Sequence, residues 1–206
     1  MFLASSMNLQ FRYGVNTVLL NNQGKGFVDS EFVVGVEPRR DGITCKLWYT
    51  LDAEKDADHS FIKKASFRTG EVEVWGALGS RSSVIFDLDD DGDLDIITNE
   101  CHSVPLVLIN NLTEKKDVRF VKVKLIGTDS NREGLGATVT VKSGDRQWAK
   151  VHDGQSGYLS QSSMPLYFGL GDQNSVDEIV VKWSSGKTQS LKNAQPNSLV
   201  VIEENN

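Results

Sequence analysis

Basic residues, cysteines, prolines and long apolar runs are all in short supply here, and each shortage narrows the possibilities. Lys and Arg number 22 against 28 Asp and Glu, a net charge of −6 with an isoelectric point near 5.1. A nucleic-acid-binding domain should be strongly basic, so this balance argues against one, and more weakly against docking on anionic membrane. No run approaches the roughly 18 apolar residues of a membrane-crossing helix. The two cysteines, Cys45 and Cys101, are too few for a disulfide framework and lack CxxC spacing. One disulfide in an oxidising compartment and two separately buried thiols both remain open; the second is the plainer expectation. With only 4 prolines, punctuation falls to 18 glycines, which lie among short β-rich runs where tight turns are needed.

What is present suits a sizeable core. Hydrophobic residues make up 39% of 206, enough for one large domain or two small ones. Met1-Phe2-Leu3-Ala4-Ser5-Ser6-Met7 lacks the basic start of a secretory signal, and its apolar stretch breaks at once into Ser, Asn and Gln. The expectation is a cytoplasmic protein, or a mature or truncated piece of something longer.

Strand patterns dominate. Residues 15–20 run into the turn-rich Asn21-Asn22-Gln23-Gly24-Lys25-Gly26, and Phe27-Val28 leads on to Phe32-Val33-Val34, which reads as a hairpin. Residues 71–75, 83–86, 94–98 and 105–109 follow as strands. The stretch 37–70 has no clear period and is expected to be an inserted loop with a short helix around 53–64. Its alternating Asp52, Glu54, Asp56 and Asp58 lack a glycine for a metal loop and read as a solvated charged turn. From about residue 118 short strands recur: 120–125, 137–141, 148–151, 166–168, 179–183, 188–191 and 199–202. In the first, Val121, Val123 and Leu125 share a face opposite Lys122 and Lys124. The chain is therefore expected to be all-β, with a boundary at the charged connector 113–117 and an antiparallel sandwich or barrel over 118–206.

The segment that carries chemistry is Asp87-Leu88-Asp89-Asp90-Asp91-Gly92-Asp93-Leu94-Asp95. Calcium takes six to eight oxygens, and a short loop wraps it when oxygens recur at alternate positions and a glycine permits the bend. Asp87, Asp89 and Asp91 supply carboxylates, Gly92 the bend, Asp93 a backbone carbonyl, and Asp95 closes the ring directly or through water. Without a cation, such carboxylates repel one another by on the order of 1 kcal/mol per pair at about 4 Å in water. The metal set is thus Asp87, Asp89, Asp91, Asp93 and Asp95, and the cofactor Ca²⁺ in a structural role. An EF-hand is excluded: it needs Glu at loop position 12, where Thr98 stands, and flanking helices.

Two family patterns compete for the loop. Val84-Ile85-Phe86-Asp87-Leu88-Asp89 is similar to the nucleophile strand of haloacid dehalogenase phosphatases, which would make Asp87 a nucleophile beside Mg²⁺. That pattern continues into a helix of a parallel α/β sheet, whereas a strand follows here. Asp-x-Asp-x-Asp-Gly-x-x-Asp between strands, with Trp75-Gly76-Ala77-Leu78-Gly79 before it and Asn99-Glu100 after, resembles the FG-GAP/VCBS repeat of integrin α-chain propellers. Asn21-Asn22-Gln23-Gly24-Lys25-Gly26-Phe27 resembles the tail of a preceding repeat.

The second half resembles an ASPIC/UnbV domain over about residues 119–204. The motifs are Leu125 to Ala137, Gly154-Gln155-Ser156-Gly157-Tyr158-Leu159-Ser160-Gln161-Ser162, Phe168-Gly169-Leu170-Gly171, Val176-Asp177-Glu178-Ile179 and Trp183-Ser184-Ser185-Gly186, with Ser184 where the family has Pro. FG-GAP repeats followed by ASPIC/UnbV is the architecture of the cartilage acidic protein family and its bacterial relatives. The resemblance implies a non-catalytic, calcium-binding adhesion module, extracellular or periplasmic, with a protein or glycan ligand. It makes this chain a C-terminal portion or reduced member, with region 1–117 followed by domain 118–206. A carbohydrate-binding module is a third reading. Exposed edges of an incomplete propeller would favour self-association.

Other residues have plainer readings. His152-Asp153 near Ser156 and Ser160 reads as a polar turn, because sequence neighbours seldom converge into a triad. His102 lies near the loop, but calcium prefers oxygen. Arg132 is expected to bracket the Gly134–Gly136 turn, Tyr158 to pack with its hydroxyl at the rim, and Trp75, Trp148 and Trp183 to be core. Asn111-Leu112-Thr113 fits an N-glycosylation sequon.

Overall fold

The computed structural model describes residues 1–4, 14–22, 24–39, 42–64, 69–101, 103–158 and 160–205. It is almost entirely β. The chain forms two compact units, one of residues 1–83 and 97–108 and the other of residues 84–96 and 109–206.

In the C-terminal unit, β9 (Phe120–Ile126), β12 (Leu166–Gly169) and β15 (Leu199–Glu203) form one sheet in the order β12-β9-β15. β10 (Thr138–Ser143), β11 (Arg146–Val151), β13 (Val176–Lys182) and β14 (Thr188–Ala194) form the other, in the order β11-β10-β13-β14. Period-two patterning explains why they pack: Val121, Val123, Leu125, Phe168 and Ile202 from the first sheet meet Val139, Val141, Ile179 and Val181 from the second in one buried cluster. Trp183 is 2% exposed, and its indole N–H donates to Gln189 at 2.9 Å. The sandwich departs from the antiparallel expectation once, since β15 runs parallel to β9. β14 and β15 lie in different sheets, so the link between them is a crossover that imposes no hairpin direction.

The end of that unit is fastened by Glu204, buried and accepting bonds from the Thr128 amide (2.9 Å), the Ser130 amide (2.7 Å) and the Ser130 and Ser185 hydroxyls. Burial alone would raise its pKa; the bonds from Ser185, Ser130 and Thr128 outweigh it and pull the carboxyl from 4.5 down to about 2. A depressed carboxyl contributes stability that is fully present above its unfolded value, about 4.5, and is lost as pH falls through about 2. Glu204→Gln is therefore expected to lower the melting temperature at pH 7 and to flatten its fall between pH 4.5 and 2. Melting curves across that range check this; parallel curves for the two proteins would count against it.

In the N-terminal unit, β1 (Phe2–Leu3), β2 (Thr17–Asn21) and β3 (Phe27–Asp29) form a small antiparallel sheet, with β2 and β3 making the expected hairpin. Phe32-Val33-Val34 are not a strand but an exposed turn. The stretch read as an insertion holds β4 (Cys45–Asp52), which pairs with β5 (Glu71–Ala77), and one short helix, α1 (Ser60–Lys64). Leu51, Ala53, Ile62 and Val74 form the small core between them. Asp52 caps the turn before α1, accepting the amides of Glu54 (3.0 Å) and Lys55 (3.1 Å), so the alternating acids serve local turn bonds. Trp75 is 44% exposed rather than core; it stands on β5 of the two-stranded β4–β5 ribbon. Cys45 is an exposed free thiol and Cys101 a half-buried one, not two buried thiols. The same unit holds a buried polar knot of Asn16, Glu37, Arg39, Ser80, Thr98 and Glu100. No helix among the described residues is long and apolar enough to cross a membrane.

Candidate metal centre

β6 (Gly79–Phe86) and β7 (Asp95–Cys101), with β8 (Leu106–Leu108), form a three-stranded sheet in the order β6-β7-β8. The acidic loop spans the end of β6 and the start of β7, so it leads from strand to strand, as neither an EF-hand nor a dehalogenase nucleophile segment does. The bend uses left-handed backbone at Asp90 (φ 60°) and Gly92 (φ 100°).

Three of the five predicted ligands converge. Asp87, Asp89 and Asp95 each place a carboxylate oxygen within 4.8 Å of the others. Asp95 is 1% exposed and is aimed by two backbone donors, Leu88 N–H to Oδ2 (2.8 Å) and Asn110 N–H to Oδ1 (2.8 Å). Asp87 Oδ2 accepts from the Gly92 amide at 3.0 Å, while its buried Oδ1 has no hydrogen-bond partner. A buried carboxylate oxygen left without a donor is costly, and in an all-oxygen cluster it is the feature a hard cation would satisfy. Burial and the nearby Asp91 and Asp95 charges hold Asp89 above the usual carboxylate range.

Asp91 and Asp93 direct their carboxylates elsewhere. Asp91 accepts from the Thr113 hydroxyl and, at 3.0 Å, from the Asp93 amide; the Thr113 bond is the main reason its pKa is lowered. Asp93 Oδ2 accepts the amides of Leu112 (2.7 Å) and Thr113 (3.0 Å), so this oxygen pins the following segment, while its buried Oδ1, like that of Asp87, has no hydrogen-bond partner. Thr113, the last residue of the sequon, is thus committed to the loop. Spacing within nine residues held no signal for these partners some twenty residues on.

Three further residues were invisible in the loop's own sequence. Tyr167 donates its hydroxyl to the Gly92 carbonyl at 2.8 Å; burial and the Asp87, Asp93 and Asp91 carboxylates hold that hydroxyl well above its usual pKa. Phe120 stacks on Tyr167 with centroids 5.3 Å apart. Lys122 puts Nζ 2.7 Å from Asp87 Oδ2 and 2.9 Å from Asp90 Oδ1. Its partial burial disfavours the charge, but those two bonds prevail and raise its pKa.

The other candidates stay local. Asp153 accepts the Gln155 amide at 3.0 Å and Ser156 donates to Ser160 at 3.0 Å, so the bonds of this polar turn close on itself. His152 is buried, with its backbone paired to Gly136 and Ala137. Tyr158 is 64% exposed, not packed at a rim, because it sits at the tip of the loop between β11 and β12. His102 lies outside the described residues.

Residues 127–206 match the family described as ASPIC and UnbV. No curated protein matches the chain. The ASPIC/UnbV match covers six of the seven sandwich strands but starts just after β9, the central strand of its sheet. The folded unit is therefore larger than the matched segment, and β9 also delivers Phe120 and Lys122 to the acidic loop.

Proposed function

We propose that this chain is a non-catalytic, calcium-stabilised binding module that works outside the cytoplasm, engaging a protein or glycan ligand. In this reading residues 84–101 are an FG-GAP/VCBS-like turn, and Asp87, Asp89 and Asp95 hold the ion, with Asp91 and Asp93 shaping the loop around it. The carrying observation is the convergence of those three carboxylates, with the separate fact that Asp87 also has a buried oxygen without a hydrogen-bond partner. The ion would supply positive charge and oxygen coordination, fixing the loop against the strands on either side. Extracellular calcium modules bind with Kd of roughly 10⁻⁴–10⁻³ M, which only a compartment with millimolar calcium fills. The reading pairs a site in that weak range with such a compartment.

Calcium at about ten times Kd is expected to add roughly 1.4 kcal/mol, or about 3–6 °C in melting temperature. Melting curves in calcium and in chelator test this. An Asp89→Ala protein should lose the shift, and an unshifted wild type would sink the proposal.

A further inference from the structure

We infer that Lys122 is a built-in counter-cation of the acidic loop: it holds the metal-free loop together and weakens the loop's grip on calcium. The inference rests on the calcium reading above. Asp87, Asp89, Asp90, Asp91, Asp93 and Asp95 crowd one turn, and among the described residues Lys122 is the cation set against them. Its ammonium is not a wandering surface charge. The side chain is 16% exposed, it rises from β9, and Nζ lies 5.5 Å from the Phe120 ring centroid. Phe120 in turn backs onto Gly92.

The contacts divide Asp87 in two. Oδ2 is taken by Lys122 and the Gly92 amide, while Oδ1 is buried and unbonded. Asp90 explains its own place in the same way. It falls outside the alternate ligand spacing and outside the converging three, and its carboxylate goes to Lys122 at 2.9 Å. With no metal, the lysine offsets part of the carboxylate repulsion. With calcium bound, the same fixed charge stands one carboxylate away from a dication, and a part-buried pair is poorly screened by water or salt. Lys122 thereby sets the calcium range in which the loop switches, keeping it in the weak regime.

Isothermal calorimetry with calcium chloride, and melting in chelator, test this on the whole chain. Lys122→Met keeps the apolar stem over Phe120 and removes the charge. It is expected to bind calcium about tenfold more tightly, equivalent to about 1.4 kcal/mol, and to melt below the wild type in chelator. Lys122→Arg keeps the charge and should stay within about threefold of the wild-type affinity. Lys122→Gln, neutral but able to donate to Asp87, serves if the methionine variant does not fold, and should also bind more tightly. If the wild type binds and the neutral variants bind no more tightly, the counter-cation role is overturned while the calcium site stands. If neither wild type nor neutral variants bind at millimolar calcium, both readings fall.

Discussion

Arg39→Met is expected to destabilise the N-terminal unit by about 3–5 kcal/mol, the usual penalty for breaking a buried ion pair from one side. Arg39 Nη1 lies 2.5 Å from Glu100 Oε2, with the two side chains 5% and 0% exposed. The same carboxylate accepts from the Ser80 hydroxyl and, at 2.6 Å, from Thr98. Ser80 also accepts from Asn16 Nδ2 at 2.9 Å, tying the start of β2 to β6. Among the described residues, removing the guanidinium leaves Glu100 with the two neutral donors Ser80 and Thr98 in a fully buried place, where a charged carboxylate is expensive.

The variant therefore carries a signature that simple loss of packing would not give: a second substitution that removes the stranded charge should help it. Arg39→Met/Glu100→Gln should recover part of the loss at neutral pH, because the amide carries no charge to strand. Urea unfolding at pH 7 for both proteins checks this. A loss below about 1 kcal/mol, with no recovery in the double variant, would mean that the pair is solvated and contributes like a surface bridge.

That polar knot also marks where sequence reading runs out. Arg39, Ser80 and Glu100 sit far apart in the chain with nothing in their neighbourhoods to pair them. The sandwich strands were readable because Val121, Val123 and Leu125, or Ile179, Val181 and Trp183, alternate against a single core. β4 was not, because Leu47 and Trp48 are both about half exposed and a bulge between Leu47 and Tyr49 breaks the alternation. Trp75 misled too: an aromatic on a two-stranded ribbon keeps its β propensity while 44% exposed. In the acidic loop, spacing placed Asp87, Asp89 and Asp95 in one turn. It held no information on Lys122, Tyr167 or Thr113, which arrive from strands and turns later in the chain.

Gly92→Ala is expected to cost the C-terminal unit about 2–6 kcal/mol and to abolish any calcium-dependent stabilisation. Two separate effects add. The backbone at φ 100° is one that side chains rarely adopt, a strain of about 1–3 kcal/mol. A Cβ there would also stand 2.5 Å from Phe120 Cε1, an overpacking of about 1–3 kcal/mol. The ring has little room to retreat, since it is 9% exposed and stacked on Tyr167 at an interplanar angle of 13°. Any relief must come from the loop, where the Gly92 amide holds Asp87 and the Gly92 carbonyl receives the Tyr167 hydroxyl. Shifting that peptide turns Asp87 away from Asp89 and Asp95, so stability and metal response should fail together. Phe120→Leu in the Gly92→Ala background separates the causes. It should return the overpacking part and leave the backbone strain, recovering roughly half of the loss. Denaturant unfolding of the single and double variants, each with calcium and with chelator, decides the matter. A single variant within about 0.5 kcal/mol of the wild type would refute the close approach of ring and loop on which the shape of the site depends.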